Sequence, residues 1–299
     1  MKERSLVAFT LLGQAAVGMF WALALVSRRV PDGAAWVRGP TLVVGVLLLA
    51  AGVSAVLHLG TPRNAWRALS NVGSSWLSRE VALTGLFGAG WVVVAFMRDV
   101  LPAPSPGSAA GTGAPGMAPA TADLITALTA LVGAALIYAM ARVYRLRTVP
   151  AWDTRITPLS FYLTTLSLGA PAAALALSLA TSDGILGSAE ALRALVVVGI
   201  GSLIMERVVE VGWRTTREAA TDQVDAGLNP RAAEGPTGPW RAGSMGLALA
   251  ASVLAWFAAA GDPASPVFGV AIGLALTGGA VGAVLGRARF YGSYARRGL

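Results

Sequence analysis

The chain is 299 residues long with a formal net charge of +8, and 55% of its residues are hydrophobic while only 13% are charged. Soluble proteins carry charge on about 25% of their residues, so this chain has too little polar surface to cover soluble domains. With no cysteine and one histidine, it cannot form disulfides, thiolate-bound zinc, protein-bound iron–sulfur clusters or a haem held between two histidines.

Eight apolar stretches are long enough to cross a bilayer as helices, which takes about 20 residues. A helix is required because lipid offers no partner for backbone N–H and C=O groups. The predicted spans lie near residues 6–26, 42–57, 81–97, 124–141, 157–180, 192–209, 243–260 and 267–285. We therefore predict an all-α, polytopic fold, a single integral membrane domain over residues 1–299. Four spans in each half favour two four-helix bundles, although no convincing repeat relates the halves.

Basic residues are unevenly divided between the two ends of these spans. An even number of spans puts both termini at one end, and that end holds 18 of the 23 lysines and arginines. The positive-inside rule makes this end cytoplasmic. Anionic lipid headgroups explain the high charge, so it indicates no nucleic-acid partner. Arginine also suits protein interfaces, and five arginines at this end are expected to contact a partner: Arg63, Arg67, Arg145, Arg287 and Arg289.

The carboxylates lie in loops or near span ends, and none lies in the middle of an apolar run. Transporters usually bury ionisable groups at mid-membrane, which argues against a small-solute or ion transporter. That function and a purely structural anchor remain the alternatives. Polar residues gather at the end that holds the termini: His58, Glu80, Arg142, Tyr144, Glu206, Arg207 and Glu210.

His58 closes the second span and is the one side chain here that ordinarily titrates near neutral pH. A quinol that is oxidised loses two protons and two electrons, and a neutral imidazole at the bilayer surface can accept a proton. Glu80 could then relay it to water. Position alone favours a structural role, in which His58 only caps its helix and Glu80 complements a helix N-terminus. Gln14, within the first span, is a further candidate, although such residues often bond another helix.

Several segments resemble a known family of membrane anchors. The most specific are Leu57-His58-Leu59-Gly60-Thr61-Pro62 and, downstream, Ser75-Trp76-Leu77-Ser78-Arg79-Glu80. Further matches follow in the family's order: Gly13-Gln14, Ala141-Arg142-Val143-Tyr144, and Gly286-Arg287 with Phe290-Tyr291-Gly292. Over nearly its whole length the protein resembles DmsC, the anchor subunit of the anaerobic dimethyl sulfoxide reductase family.

The resemblance implies an eight-helix anchor in the inner membrane of a prokaryote, without haem, iron–sulfur cluster or metal of its own. Such an anchor binds menaquinol and passes electrons to a ferredoxin-like, four-cluster iron–sulfur subunit, which supplies a molybdopterin catalytic subunit. The protein then carries a quinol-oxidation site but not the catalytic centre of the complex.

The family's quinol-site histidine and glutamate correspond to His58 and Glu80. Gln14, Arg142 and Tyr144 are secondary candidates for quinol binding. Two features depart from the family. Arg63 directly follows the proline, where the family commonly has its arginine one residue later, and the arginine count puts the termini inside, whereas the family is usually drawn with them outside.

Overall fold

The computed structural model describes residues 2–30, 36–58, 69–99, 119–149, 152–180, 188–222 and 237–292. Apart from a short turn at residues 69–71, the regular structure in these ranges is α-helical. The helices are α1 (Lys2–Arg29), α2 (Arg38–His58), α3 (Trp76–Asp99), α4 (Pro119–Tyr144), α5 (Ile156–Leu179), α6 (Ser188–Asp222), α7 (Thr237–Gly261) and α8 (Pro266–Gly292). The predicted all-α fold is confirmed, because each helix contains one predicted span except for the last residue of the fifth.

Seven of these helices are long and apolar enough to cross a membrane. The other is α6, which has 35 residues and carries Glu206, Arg207 and Glu210 inside the helix rather than at its end. The sequence prediction ended this span at residue 209, but the helix continues to Asp222.

The eight described helices form two rings of four. In the first half, α1 packs on α2, α2 on α3, α3 on α4, and α4 back on α1. The second half repeats this order from α5 to α8, and α5 also packs on α1. The two four-helix bundles are thus joined along α1 and α5, the first helix of each half.

Two glycines allow this junction to be close. A Cβ atom on Gly18 would overlap the backbone of Thr165, and one on Gly169 would overlap the backbones of Gly18 and Met19. Small residues allow membrane helices to pack backbone to backbone. Nearer the end that holds the termini, the Gln14 side-chain amide donates to the Phe161 carbonyl at 2.9 Å.

The helices differ in how much of their surface faces outward. In α1 and α5, 67% and 61% of the most apolar stretch is buried, whereas in α2 and α3 the share is 22%. Leu49 of α2 and Leu86 of α3 are among the exposed large apolar residues. The pair α2 and α3 therefore forms an outer apolar wall that is suited to contact with lipid.

Candidate quinol-binding site

Glu80 is buried on α3, although it neither caps the N-terminus of this helix nor holds the turn that precedes it. The Ser75 hydroxyl accepts a hydrogen bond from the Ser78 N–H at 3.3 Å and so caps the N-terminus of α3. Arg79 secures the preceding turn by donating to the carbonyls of Val72 at 2.8 Å and Gly73 at 2.6 Å. Glu80 itself is 5% exposed, and within the described ranges no hydrogen bond to its carboxylate is formed.

Tyr144 at the end of α4 lies at the centre of an aromatic cluster. Its ring centroid is 5.2 Å from Tyr291, 5.8 Å from Phe161 and 6.0 Å from Trp152. Its hydroxyl interacts electrostatically with Glu80 and lies close to the hydroxyls of Thr10 and Tyr291. The cluster therefore brings together side chains from α1, α3, α4, α5 and α8.

Two polar atoms in this region are buried without a hydrogen-bond partner among the described residues. They are the Tyr291 hydroxyl and the Nε of Arg142. The Arg142 guanidinium lies 4.8 Å from the ring centroid of Trp76, on the first turn of α3. Buried polar groups are nearly always hydrogen-bonded, so these atoms indicate a place where a polar ligand or water can bind.

Gln14 and Arg287 form a second buried pair next to the cluster. Gln14 is fully buried, and its Oε1 accepts a hydrogen bond from Arg287 at 3.2 Å. The Arg287 guanidinium lies 3.6 Å from the ring centroid of Phe161. Gln14 thus bonds two neighbouring helices, which is the structural role that the sequence left open beside quinol binding.

Arg287 does not fit its predicted role in contacting a partner protein. It is 5% exposed, since its side chain extends from α8 toward α1 and α5. It is therefore removed from the set of docking arginines. Arg145 pairs with Asp153 at 3.1 Å, and Arg289 pairs with Glu210 at 3.2 Å.

Some predicted site residues cannot be compared with the structure. The backbone of His58 ends α2, but its side chain lies outside the described residues. Arg63 and Arg67 also lie outside them. Their predicted roles in quinol binding and docking remain predictions.

A second polar cluster lies in the other bundle. Glu206 is buried and accepts a hydrogen bond from Ser167 at 3.1 Å, halfway along α5. This corrects the expectation that the carboxylates stay at the span ends: because α6 continues past residue 209, Glu206 lies inside the bundle. Three arginines bind the neighbouring carboxylate of Glu210: Arg207, Arg241 and Arg289.

The comparisons with known proteins decide the family. The family described as "DMSO reductase anchor subunit (DmsC)" matches residues 1–104 and 114–292. The protein belongs to this family. The C subunit of anaerobic dimethyl sulfoxide reductase from Escherichia coli (strain K12) is 30% identical over 310 residues, which cover 99% of the present sequence and 96% of that relative.

Two further relatives match about half of the sequence. The corresponding C subunit from Haemophilus influenzae is 28% identical over 168 residues, 54% of each protein. The YnfH subunit of anaerobic dimethyl sulfoxide reductase from Escherichia coli is 30% identical over 174 residues, 56% of the present sequence and 55% of the relative. This DmsC-family protein is thus a multi-pass membrane anchor, and membership implies catalytic and electron-transfer partner subunits.

Sequence reasoning did not identify Tyr291 or Thr10 as neighbours of the predicted site in this DmsC-family protein. One signal was available for Tyr291. The last helix of the first half ends Ala141-Arg142-Val143-Tyr144, and the last helix of the second half contains Ala288-Arg289-Phe290-Tyr291 near its end. The two matching tyrosines, Tyr144 and Tyr291, lie with their ring centroids 5.2 Å apart.

Proposed function

We propose that this anchor subunit binds menaquinol from the bilayer and oxidises it at the end that holds the termini. The electrons pass to a ferredoxin-like, four-cluster iron–sulfur subunit and then to a molybdopterin catalytic subunit. The observation that carries the proposal is the buried carboxylate of Glu80, which has no hydrogen-bond partner among the described residues and lies near aromatic rings and the unpartnered hydroxyl of Tyr291.

The chemistry of quinol oxidation matches these groups. A quinol hydroxyl needs a hydrogen-bond acceptor that can take its proton, and a carboxylate or a neutral imidazole can do so. Glu80 lies near the start of α3, at the end where α2 finishes with His58, and these two helices pack together. His58 as the first proton acceptor and Glu80 as the relay to water form one such pathway. Arg142 and Tyr144 are the side chains that would orient the ring.

The bilayer gives a lipid-soluble substrate access to this region. The apolar wall of α2 and α3 includes Leu57, Leu77 and Val81, which are 75%, 56% and 39% exposed. Leu57 directly precedes His58 and Val81 directly follows Glu80 in the sequence, and Leu77 lies one helical turn before Glu80. A quinol headgroup that slides along this wall reaches the polar layer without leaving the membrane.

The distribution of arginines supports a cytoplasmic location for this end, with 18 of the 23 basic residues. The electron-transfer subunit docks on the same end, because an electron that leaves the quinol must reach its acceptor without crossing the hydrocarbon layer. Quinol protons are then released on the side where the partner sits.

A substitution of Glu80 in the assembled complex tests the proposal. Glu80→Gln removes the proton-accepting carboxylate and retains the shape, so we expect quinol-dependent turnover to fall by about tenfold or more. Turnover with a reduced viologen dye, which supplies the partner subunits directly, should not change. The matched control is Glu190→Gln, an exposed position at the opposite end, which should leave both activities intact. Equal quinol turnover in wild type and Glu80→Gln would favour the purely structural anchor.

A further inference from the structure

We infer that Arg287 is a further residue of the quinol site, where its positive charge stabilises the quinol monoanion that forms when the first proton leaves. This inference rests on the proposed function. It assigns a binding role to a side chain that the sequence had suggested for contact with a partner protein.

No carboxylate lies within ion-pair distance of Arg287 among the described residues. Its hydrogen-bond partner is the neutral amide of Gln14 at 3.2 Å, and the Phe161 ring lies 3.6 Å from its guanidinium carbon. A guanidinium keeps its proton under all ordinary conditions, so a full positive charge is buried here.

Glu206 of α6 is the carboxylate that interacts with Arg287, but it also interacts with other residues. Glu206 accepts a hydrogen bond from Ser167 at 3.1 Å. It also interacts electrostatically with Arg241 as well as with Arg287. One carboxylate is therefore shared between two arginines. A buried charge without a close partner is unfavourable, which is consistent with a site where a ligand supplies the opposite charge.

Tyr144 lies between Arg287 and Glu80. Arg287 lies close to Tyr144 and Tyr291, and Tyr144 lies close to Glu80. The Phe161 ring lies between Arg287 and Tyr144: the Arg287 guanidinium stacks on it, and its centroid is 5.8 Å from that of the Tyr144 ring. A carboxylate that can accept a proton and a fixed cation thus share one aromatic cluster.

This pair suits the first step of quinol oxidation. The O–H bond of one quinol hydroxyl breaks, its proton is accepted by the His58 imidazole and relayed to the Glu80 carboxylate, where it forms a new O–H bond, and the electron pair stays on the quinol oxygen. No electron has yet left the quinol, and the product is its monoanion. Arg287 stabilises the new negative charge without rearranging, because the protein already holds it in place. The anion then gives up two electrons, one at a time, to the iron–sulfur subunit proposed as the partner, and the proton of its second hydroxyl leaves by the same route through His58 and Glu80.

The competing explanation is that Arg287 only ties α8 to α1 and α5. Both explanations predict that removing it lowers turnover, so turnover does not distinguish them. They differ in whether binding depends on the charge of the ligand. An anion-stabilising arginine should favour an anionic quinone analogue over a neutral one of the same size, whereas a purely structural arginine should affect both equally.

The test measures binding of two analogues to the intact, detergent-solubilised complex at pH 7. One is 2-hydroxy-1,4-naphthoquinone, which is an anion at this pH, and the other is its neutral methyl ether, 2-methoxy-1,4-naphthoquinone. We expect Arg287→Gln to weaken binding of the anion by about tenfold, the size expected for loss of one charged hydrogen bond, and to alter binding of the ether by less than about twofold. Arg287→Lys should keep most of the preference for the anion.

A matched control is available at the opposite end of the molecule. The Arg193 guanidinium carbon lies 4.1 Å from the ring centroid of Trp256, so Arg193→Gln also removes an arginine that is stacked on an aromatic ring. It should change neither dissociation constant. If the complex does not assemble with Arg287→Gln, the binding of the two analogues is compared in wild type and Arg287→Lys. A preference for the anion in both supports the inference, and no preference in wild type overturns it.

The outcomes separate the two proposals. If Arg287→Gln weakens both analogues equally, or weakens neither, Arg287 is structural and the quinol site stands. If wild type binds neither analogue, the proposed quinol site fails and the inference fails with it.

Discussion

At the scale of single residues, the burial of Glu80 is not explained by the secondary structure around it. Ser75 caps α3, and Arg79 holds the preceding turn. Glu80 lies beyond the first helical turn, where its charge adds little to helix stability. A buried carboxylate without a partner is unfavourable, so this arrangement favours a functional role over the helix-end role that the sequence left open.

His58→Arg should abolish quinol-dependent turnover in an assembled complex. A permanent cation cannot accept a proton, and the longer side chain would occupy space that the quinol headgroup needs. The measurement is quinol-dependent substrate reduction in membranes, normalised to the amount of assembled complex and to the viologen-dependent activity. Leu179→Arg is the control, because it introduces the same side chain at the end of α5 on the opposite side of the molecule, at a position that is 79% exposed. Normal quinol oxidation by assembled His58→Arg would contradict the assignment of His58.

Single residues also show where sequence reasoning reached its limit. His58, Glu80 and Tyr144 were predicted as site residues because they stand in recognisable motifs at the ends of spans, and these roles remain predictions. The position of Arg287 was wrongly predicted as a surface contact because its partner, Gln14, is 273 residues away in the sequence. Which face of a helix end is buried depends on the packing of distant helices, and local composition does not encode it.

At the scale of helices, the contact between α1 and α5 depends on the absence of side chains at Gly18 and Gly169. Gly18→Leu should force these helices apart and lower the thermal stability of the protein, with an overpacking cost of about 1–3 kcal/mol or more. The measurement is the melting temperature of the detergent-solubilised complex. Gly52→Leu on α2 is the control, because a Cβ atom there meets nothing within 4 Å. Equal melting temperatures for the two variants would show that the bundles are not joined as described.

The spans themselves were predictable because the bilayer sets their length and requires apolar side chains. The exception is the end of α6, where the sequence prediction stopped at residue 209 and the helix continues to Asp222. Hydropathy detects where an apolar stretch stops, but a helix beyond the hydrocarbon layer needs no apolar residues to continue. This extension is what moved Glu206 from a predicted helix end into the second bundle.

At the scale of the molecule, the two bundles treat their polar groups differently. In the second bundle Glu210 is bound by three arginines, and Glu206 is hydrogen-bonded to Ser167. Where the first bundle meets α8, the Tyr291 hydroxyl and the Nε of Arg142 are buried without hydrogen-bond partners within the described ranges. Satisfied polar networks make a structure rigid, whereas unsatisfied buried groups can bind a ligand. The α1–α5 junction therefore links a rigid bundle to the bundle that carries most of the proposed site.

The electron-transfer subunit should cover the end of the molecule that holds both termini. This end carries the arginine excess and the candidate quinol site, and a short path from quinol to acceptor requires the partner to sit there.

Because the sequence has no cysteine, single cysteines can report on each end separately. Thr148→Cys follows α4 at the proposed docking end, and Glu190→Cys begins α6 at the opposite end; both positions are exposed. We expect a maleimide–amine cross-linker to join the partner subunit to the cysteine at position 148 and not to the one at position 190, and a membrane-impermeant thiol reagent to label the cysteine at position 148 from the cytoplasmic side. Cross-links from position 190 instead would move both the partner and the site of electron transfer to the end that carries Arg28 and Arg193.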